Sequence, residues 1–250
     1  MDIKTRAIVL RRTNYGEADR ILNILTPEGK KSVIAKGVRR EKSKLAGGIE
    51  LFSVSNITVH AGKGDLGILT SSRLQDFYSH ILEDYATLQF AYEVLKSVNK
   101  KAENLESPEF FNITEQALAG LNSAGFSSLI AAWWWLNLAR AAGEPINFHT
   151  DTDGHKLKPD QTYLWDPTDL ALRPTEPFPH PPRHCEERRD EAISPSISPP
   201  PSFHAPEAVS SDHIKLLRLL ISSPLSTALK VSSPDPLLPE ITTITKCFTP

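Results

Sequence analysis

Lys31-Ser-Val-Ile-Ala-Lys36-Gly-Val-Arg-Arg-Glu-Lys-Ser-Lys44 decides how this chain reads. Its first five residues are β-like, and the next nine hold five cations and one acid. Short strands are expected around it, at Thr5–Leu10 before and at Ile49–His60 and Leu66–Leu69 after. In the second of these, Ile57 and Val59 alternate with Asn56, Thr58 and His60, the period of a half-buried strand. Turn chemistry falls at Tyr15-Gly16, Thr26-Pro-Glu-Gly29, Gly47-Gly48 and Gly62-Lys-Gly64. Five short strands in residues 1–78 predict a small closed β-barrel, because closure removes exposed sheet edges. An SH3-like barrel is the weaker alternative on the same pattern.

The pattern changes beyond the barrel. Ile81, Leu82, Tyr85, Leu88, Phe90, Tyr92, Val94 and Leu95 give an apolar face near helical spacing. Ser107-Pro108-Glu109 is an N-cap with proline at the first helical position, opening a helix to about Leu121. A third helix is expected from Ser127 to Ala142, stopped by Gly143-Glu-Pro145. Tyr163-Leu-Trp165 reads as a strand. Eleven of the chain's 20 prolines lie between Pro167 and Pro206, so residues 173–210 are expected to be a flexible insert. Within it, Arg183–Ser194 resembles peptides translated from bacterial intergenic repeats. His213–Ile221 reads as a short amphipathic helix returning to the bundle. The expected class is mixed α+β: a barrel domain (1–78), a helical domain (79–172), the insert (173–210) and a C-terminal helical segment with a tail (211–250).

Net charge is −2 over 250 residues, but it is unevenly spread. Residues 1–44 carry twelve Lys/Arg against five Asp/Glu, a net +7 that leaves −9 for the rest. A basic face on an acidic body suits a polyanion, because Lys and Arg release counterions from a phosphate backbone. The bland reading is a solvated strand surface with scattered lysines. Against it stand the density of Arg39-Arg40-Glu-Lys42-Ser-Lys44 and the two glycines beside it, which permit close backbone approach. Arg11 and Arg12, at the end of the first strand, are placed to approach the same face if the barrel closes. Tyr15 and Phe52 are the only aromatics before Phe77, so backbone contact is expected to dominate over base stacking.

Other constellations read as structure. Trp133-Trp134-Trp135 cannot share one helix face, since consecutive residues point about 100° apart. Two are expected in the core and one at a domain seam, against the sharper reading of a partner-protein anchor. Asp151-Thr-Asp153-Gly154 begins like a calcium loop but has Thr162 where the twelfth-position glutamate belongs, so a turn is expected. His180, His184, Cys185 and His204 sit in the proline-rich stretch and lack metal-site spacing. Cys185 and Cys247 form no disulfide framework, which fits a reducing cytoplasm. No phosphate-binding loop, nucleophile elbow or zinc-protease helix occurs, and no carboxylate pair brackets a substrate, so no enzyme is expected. No signal core or membrane span is read, and no cofactor.

With these residues in view, the N-terminal half resembles the bacterial RecO family of DNA repair and recombination mediators. The resemblance rests on Ala7–Leu10, Tyr15–Asp19, Leu25–Lys30, Ala35–Arg39, Lys42–Lys44 and Gly48–Phe52, in that order and spacing. It implies an OB-fold barrel followed by helices. It implies binding of single- and double-stranded DNA, annealing of complementary strands and help in loading RecA, with RecR and the C-terminal tail of single-strand-binding protein as partners, in the cytoplasm at the nucleoid. The family's cationic positions fall on Lys36, Arg39, Arg40, Lys42 and Lys44, with Arg11 and Arg12 beside them. Many members carry a four-cysteine zinc site after the helical domain. Here His149, Thr150 and Asp151 stand in that region without a CxxC, so the metal is expected to be absent. Two other classes remain: a small-barrel scaffold for acidic partner tails without a DNA role, and an RNA-binding barrel, which the long helical half disfavours.

Overall fold

The computed structural model describes residues 2–62, 64, 66–102, 107–144, 146–166, 169, 171–175 and 208–230. Most of the expected insert, with His180, His184, Cys185 and His204, lies outside the described residues, as do Pro145, the 231–250 tail and Cys247.

Five strands close a barrel: β1 (Asp2–Tyr15), β2 (Asp19–Thr26), β3 (Gly29–Ala35), β4 (Ser53–His60) and β5 (Leu66–Phe77). Their order is β1-β2-β3-β5-β4, and β4 returns to pair with β1. The pair β3–β5 is parallel, and every other pair is antiparallel. A simple meander would pair strands in sequence order. This crossover order is the Greek-key barrel of an OB-fold, which decides against the SH3-like alternative.

The run Ala7-Ile-Val-Leu10 shows why β1 lacks alternation. Ala7 and Val9 join Leu22, Ile24, Val33, Ile57, Val59 and Leu69 inside the barrel. Ile8 and Leu10 face outward, yet they are buried with Leu25, Phe52 and Val54 against the helices. Both faces are covered, so both are apolar; each such aliphatic side chain contributes about 1.5–3 kcal/mol. The strand also runs five residues past Leu10. From Arg11 to Tyr15 it pairs with Asn23 to Asp19, so backbone pairing continues where the strand's own hydrophobic signal stops. Arg11 and Arg12 therefore sit within β1 rather than at its end. The expected strand start at Ile49 is also corrected. Ile49–Phe52 is a turn in which Phe52 adopts a positive φ of 57° before β4 begins.

Three helices follow: α1 (Tyr85–Lys101), α2 (Pro108–Ala124) and α3 (Ser128–Ala141). Their N-caps are Asp84, Ser107 and Ser127, each accepting a backbone N–H. The Thr87 hydroxyl and N–H hold the Asp84 carboxyl below the usual carboxylate range. The buried face of α1 is Thr87, Ala91, Val94, Leu95, Ser97 and Val98. Of the expected face, Ile81, Val94 and Leu95 lie in the core and Leu88 and Phe90 pack against it. Ile81 and Leu82 belong to a preceding 3-10 turn, and Leu82, Tyr85 and Tyr92 are exposed.

All three tryptophans are buried, at 1%, 0% and 7% exposure for Trp133, Trp134 and Trp135. They do point apart, but α3 is enclosed on every side. Trp135 meets Phe90 of α1 edge-on, and the Trp133 indole N–H donates to the Ser223 carbonyl at 2.9 Å. A partner-anchor role for an exposed tryptophan is thereby excluded. The enclosure is completed by α4 (Ser211–Ser222) and the short α5 (Leu225–Ala228). Ile214, Leu216, Leu217 and Leu220 join the same core, and buried Asn137 donates to the carbonyls of Trp133 and Leu220, both at 2.9 Å. The amphipathic segment thus does return to the bundle. A small sheet, β7-β6-β8, joins Tyr163–Asp166 (β6) to Ala171–Pro174 (β7) and Ala208–Val209 (β8). The flanks of the proline-rich stretch belong to this sheet rather than to an insert. Among the described residues, no helix is long and apolar enough to cross a membrane.

Candidate nucleic-acid interface

Strand register fixes where the cations go. Asn14, Arg20 and Ala35 are neighbours across β1, β2 and β3, so the chain leaving β3 at Lys36 starts beside the β1–β2 tip. The connection from Lys36 to Phe52 is then tied down along its length. Gly37, at φ +62°, donates its N–H to Asp19 Oδ1 at 2.6 Å. Arg39 donates its N–H to the Ala18 carbonyl at 2.9 Å, and its guanidinium reaches the Gly16 carbonyl at 3.3 Å. Val38 and Ile49 are buried in the barrel core. Ser72 of β5 donates its hydroxyl to the Leu45 carbonyl at 2.9 Å. Gly48 packs so closely on Ser72 that a Cβ would sit 2.6 Å from its hydroxyl oxygen. The close approach this glycine permits is therefore to the barrel wall, not to a ligand.

Between these anchors the residues point to water. Lys36, Arg39, Arg40, Lys42 and Lys44 are all exposed, and among the described residues none forms an ion pair. The two arginines of β1 part company. Arg12 pairs across the ladder with interior Leu22 and forms an ion pair with Glu50 at 2.7 Å. Arg11 pairs with Asn23, whose amide donates to Asn99 of α1 at 3.0 Å, so Arg11 lies on the outer face beside the helix. Adjacent strand residues point to opposite faces, and closing the barrel does not change that. The loop cations thus gather at one barrel end, with Arg12 already neutralised and Arg11 turned toward α1.

Residues 1–78 match the sequence model of the family described as "Recombination protein O N terminal". The N-terminal domain is thus similar to that of the RecO family. It is 35% identical over 141 residues to the DNA repair protein RecO of Roseiflexus sp. (strain RS-1), covering 56% of this chain and 50% of that one. With the protein of the same name from Syntrophomonas wolfei subsp. wolfei it shares 28% over 159 residues, 62% of this chain and 63% of the relative. With that of Dehalococcoides mccartyi (strain CBDB1) it shares 32% over 158 residues, 62% of each. The chain therefore spans between 50% and 63% of the length of these relatives.

The barrel also uses cations that the sequence did not single out. Arg6 forms an ion pair with Glu115 of α2 and lies 5.1 Å from the Phe111 ring centroid. Lys30 donates to the Asn99 carbonyl at 2.6 Å. These contacts fasten the helices to the barrel, and only pairing across more than sixty residues of sequence identifies them. Behind the loop, Phe52 meets Tyr92 of α1 edge-on, with ring centroids 5.0 Å apart.

The region after the helices gives a direct test of metal chemistry. Asp151 Oδ1 accepts the N–H groups of Asp153 and His155 at 3.0 and 2.8 Å, closing the expected turn. Asp151, Asp153 and His155 do have ligand atoms within 4.8 Å of one another. They offer one ring nitrogen and no sulfur, with two of the three side chains exposed, which does not fit a closed four-donor zinc centre. The segment instead closes on itself through a bridge from Thr150 to Lys156 and joins the small sheet through one from Asp151 to Leu172 in β7.

Proposed function

We propose that the chain binds the phosphate backbone of single- and double-stranded DNA at the Lys36–Lys44 loop and anneals complementary strands during repair and homologous recombination. One observation carries this reading: five exposed cations, without an ion pair among the described residues, project from a loop pinned at both ends to a barrel. Pinning matters because cations already held in place lose less freedom on binding. The names of the relatives, DNA repair proteins, agree with it. Annealing needs no catalytic group, so the activity is non-enzymatic. Two strands held on one cationic surface repel each other less and meet at a higher effective concentration. In this role the protein works in the cytoplasm at the nucleoid. It acts with RecR on DNA covered by single-strand-binding protein and assists the loading of RecA.

A gel-shift titration in salt tests the proposal. The logarithm of affinity should fall linearly with the logarithm of salt, by about 0.7–0.9 per phosphate contacted. Reversing Arg39 and Arg40 to Glu should lower both affinity and slope. Salt-independent binding, or affinity unchanged by the double reversal, would sink it.

A further inference from the structure

The barrel is poor in aromatics, but the fold brings one to its seam from forty residues away. Tyr92 projects from α1 at 48% exposure, with its ring edge-on to buried Phe52. Phe52 closes the cationic connection, so Tyr92 stands where that connection returns to the barrel. Contact with Phe52 holds the ring while about half of the residue stays open to solvent, which pre-organises it as a platform.

Tyr92 is one member of an exposed stripe on α1: Tyr85, Gln89, Tyr92, Lys96 and Lys100, at spacings of three or four. Lys96 and Lys100 continue the stripe toward the helix C-terminus, and Asn99 between them holds the Asn23 amide beside Arg11. The cations of the loop are therefore continued, past an aromatic ring, by three more. Carboxylates limit the path. Glu93 lies 3.5 Å from Lys96, and Glu83 and Asp84 crowd Tyr85 at the helix start. Phosphate is favoured on the Tyr92–Lys100 half and repelled at Tyr85, although Tyr85 is the more exposed ring at 78%.

We propose that Tyr92, held against Phe52, stacks a base of single-stranded DNA as it leaves the cationic loop, while Arg11, Lys96 and Lys100 follow its phosphates. The inference rests on DNA binding by the loop and adds a strand preference to it. A duplex offers no splayed base, so the ring discriminates single strands from double ones.

The full chain should be titrated by fluorescence anisotropy with three probes of equal length: a thymidine strand, an abasic strand and a blunt duplex. The wild type should favour the thymidine strand over the abasic one by about 5- to 150-fold, the range of one stacked base. Tyr92→Leu should erase that ratio and leave duplex affinity unchanged, Tyr92→Phe should keep it, and Tyr85→Leu should not affect it. Lys96→Glu with Lys100→Glu, two surface changes that leave the packing alone, should lower the single-strand salt slope by about 1.4. A thymidine-to-abasic ratio that survives Tyr92→Leu, or a slope untouched by the lysine pair, overturns the inference while loop binding stands. Absence of DNA binding by the wild type overturns both. An acidic peptide whose capture depends on Tyr92, with single-strand binding unaffected, assigns the ring to a protein partner and also overturns it.

Discussion

Asp19 accepts the backbone N–H of Gly37 at 2.6 Å, so the tip of one hairpin holds the start of the cationic loop. This carboxylate has two opposed effects on an anionic ligand. Its charge repels phosphate, but its hydrogen bond keeps the loop cations in place. Asp19→Ala should therefore weaken DNA binding even though it makes the surface more positive. It should also cost about 1.5–3 kcal/mol of stability, the range for a hydrogen bond to a charged group. Affinity and urea unfolding measured on the same variant check both parts; tighter binding would show that charge outweighs placement.

Val38 lies between two cation-bearing segments and is buried in the barrel. Val38→Ala removes two methyl groups from that core and should destabilise the protein by about 1–3 kcal/mol in urea unfolding. DNA affinity should fall as well, with the salt slope retained, because every cation is still present.

Burial, followed by the charges of Glu115 and Asp76, pushes the Tyr78 phenol up to about 12. The folded value is above the ordinary value near 10, so the neutral phenol is favoured by folding. That contribution is complete below about pH 10 and is lost as pH rises through about 12. Tyr78→Phe should be less sensitive than the wild type to alkali across that window, measured as urea midpoint against pH.

Buried Asn137 ties α3 to α4 through the Leu220 carbonyl. Asn137→Ala leaves that acceptor without its donor and should cost about 1–3 kcal/mol. The near-ultraviolet signal of the three tryptophans reports the change, since Trp133 bonds the same turn of chain at Ser223.

The sequence showed the barrel clearly and its attachments poorly. Ile57 and Val59 announced β4 because one face is wet, and Ser107-Pro108 announced α2 through cap chemistry. Ala7–Leu10 hid its two faces because both are covered, and Arg11–Tyr15 hid its strand because backbone pairing needs no apolar residue. The loop cations were legible as a run of charge. The ion pair from Arg12 to Glu50 was not, since it joins residues thirty-eight apart. Nor was the contact of Tyr92 with Phe52, which exists only once α1 lies against the barrel.

The burial of α3 by α4 has a consequence for synthesis. The barrel interior is complete once Leu69 has emerged, so it is free to fold early. The three tryptophans follow at 133–135, but their cover arrives with α4, roughly eighty residues later. At about 5–20 residues per second, the ribosome leaves them partly uncovered for roughly four to sixteen seconds. During that interval the growing chain carries a finished, charged head and an unfinished, oily body. It is then that a nascent-chain chaperone has most to gain by holding it.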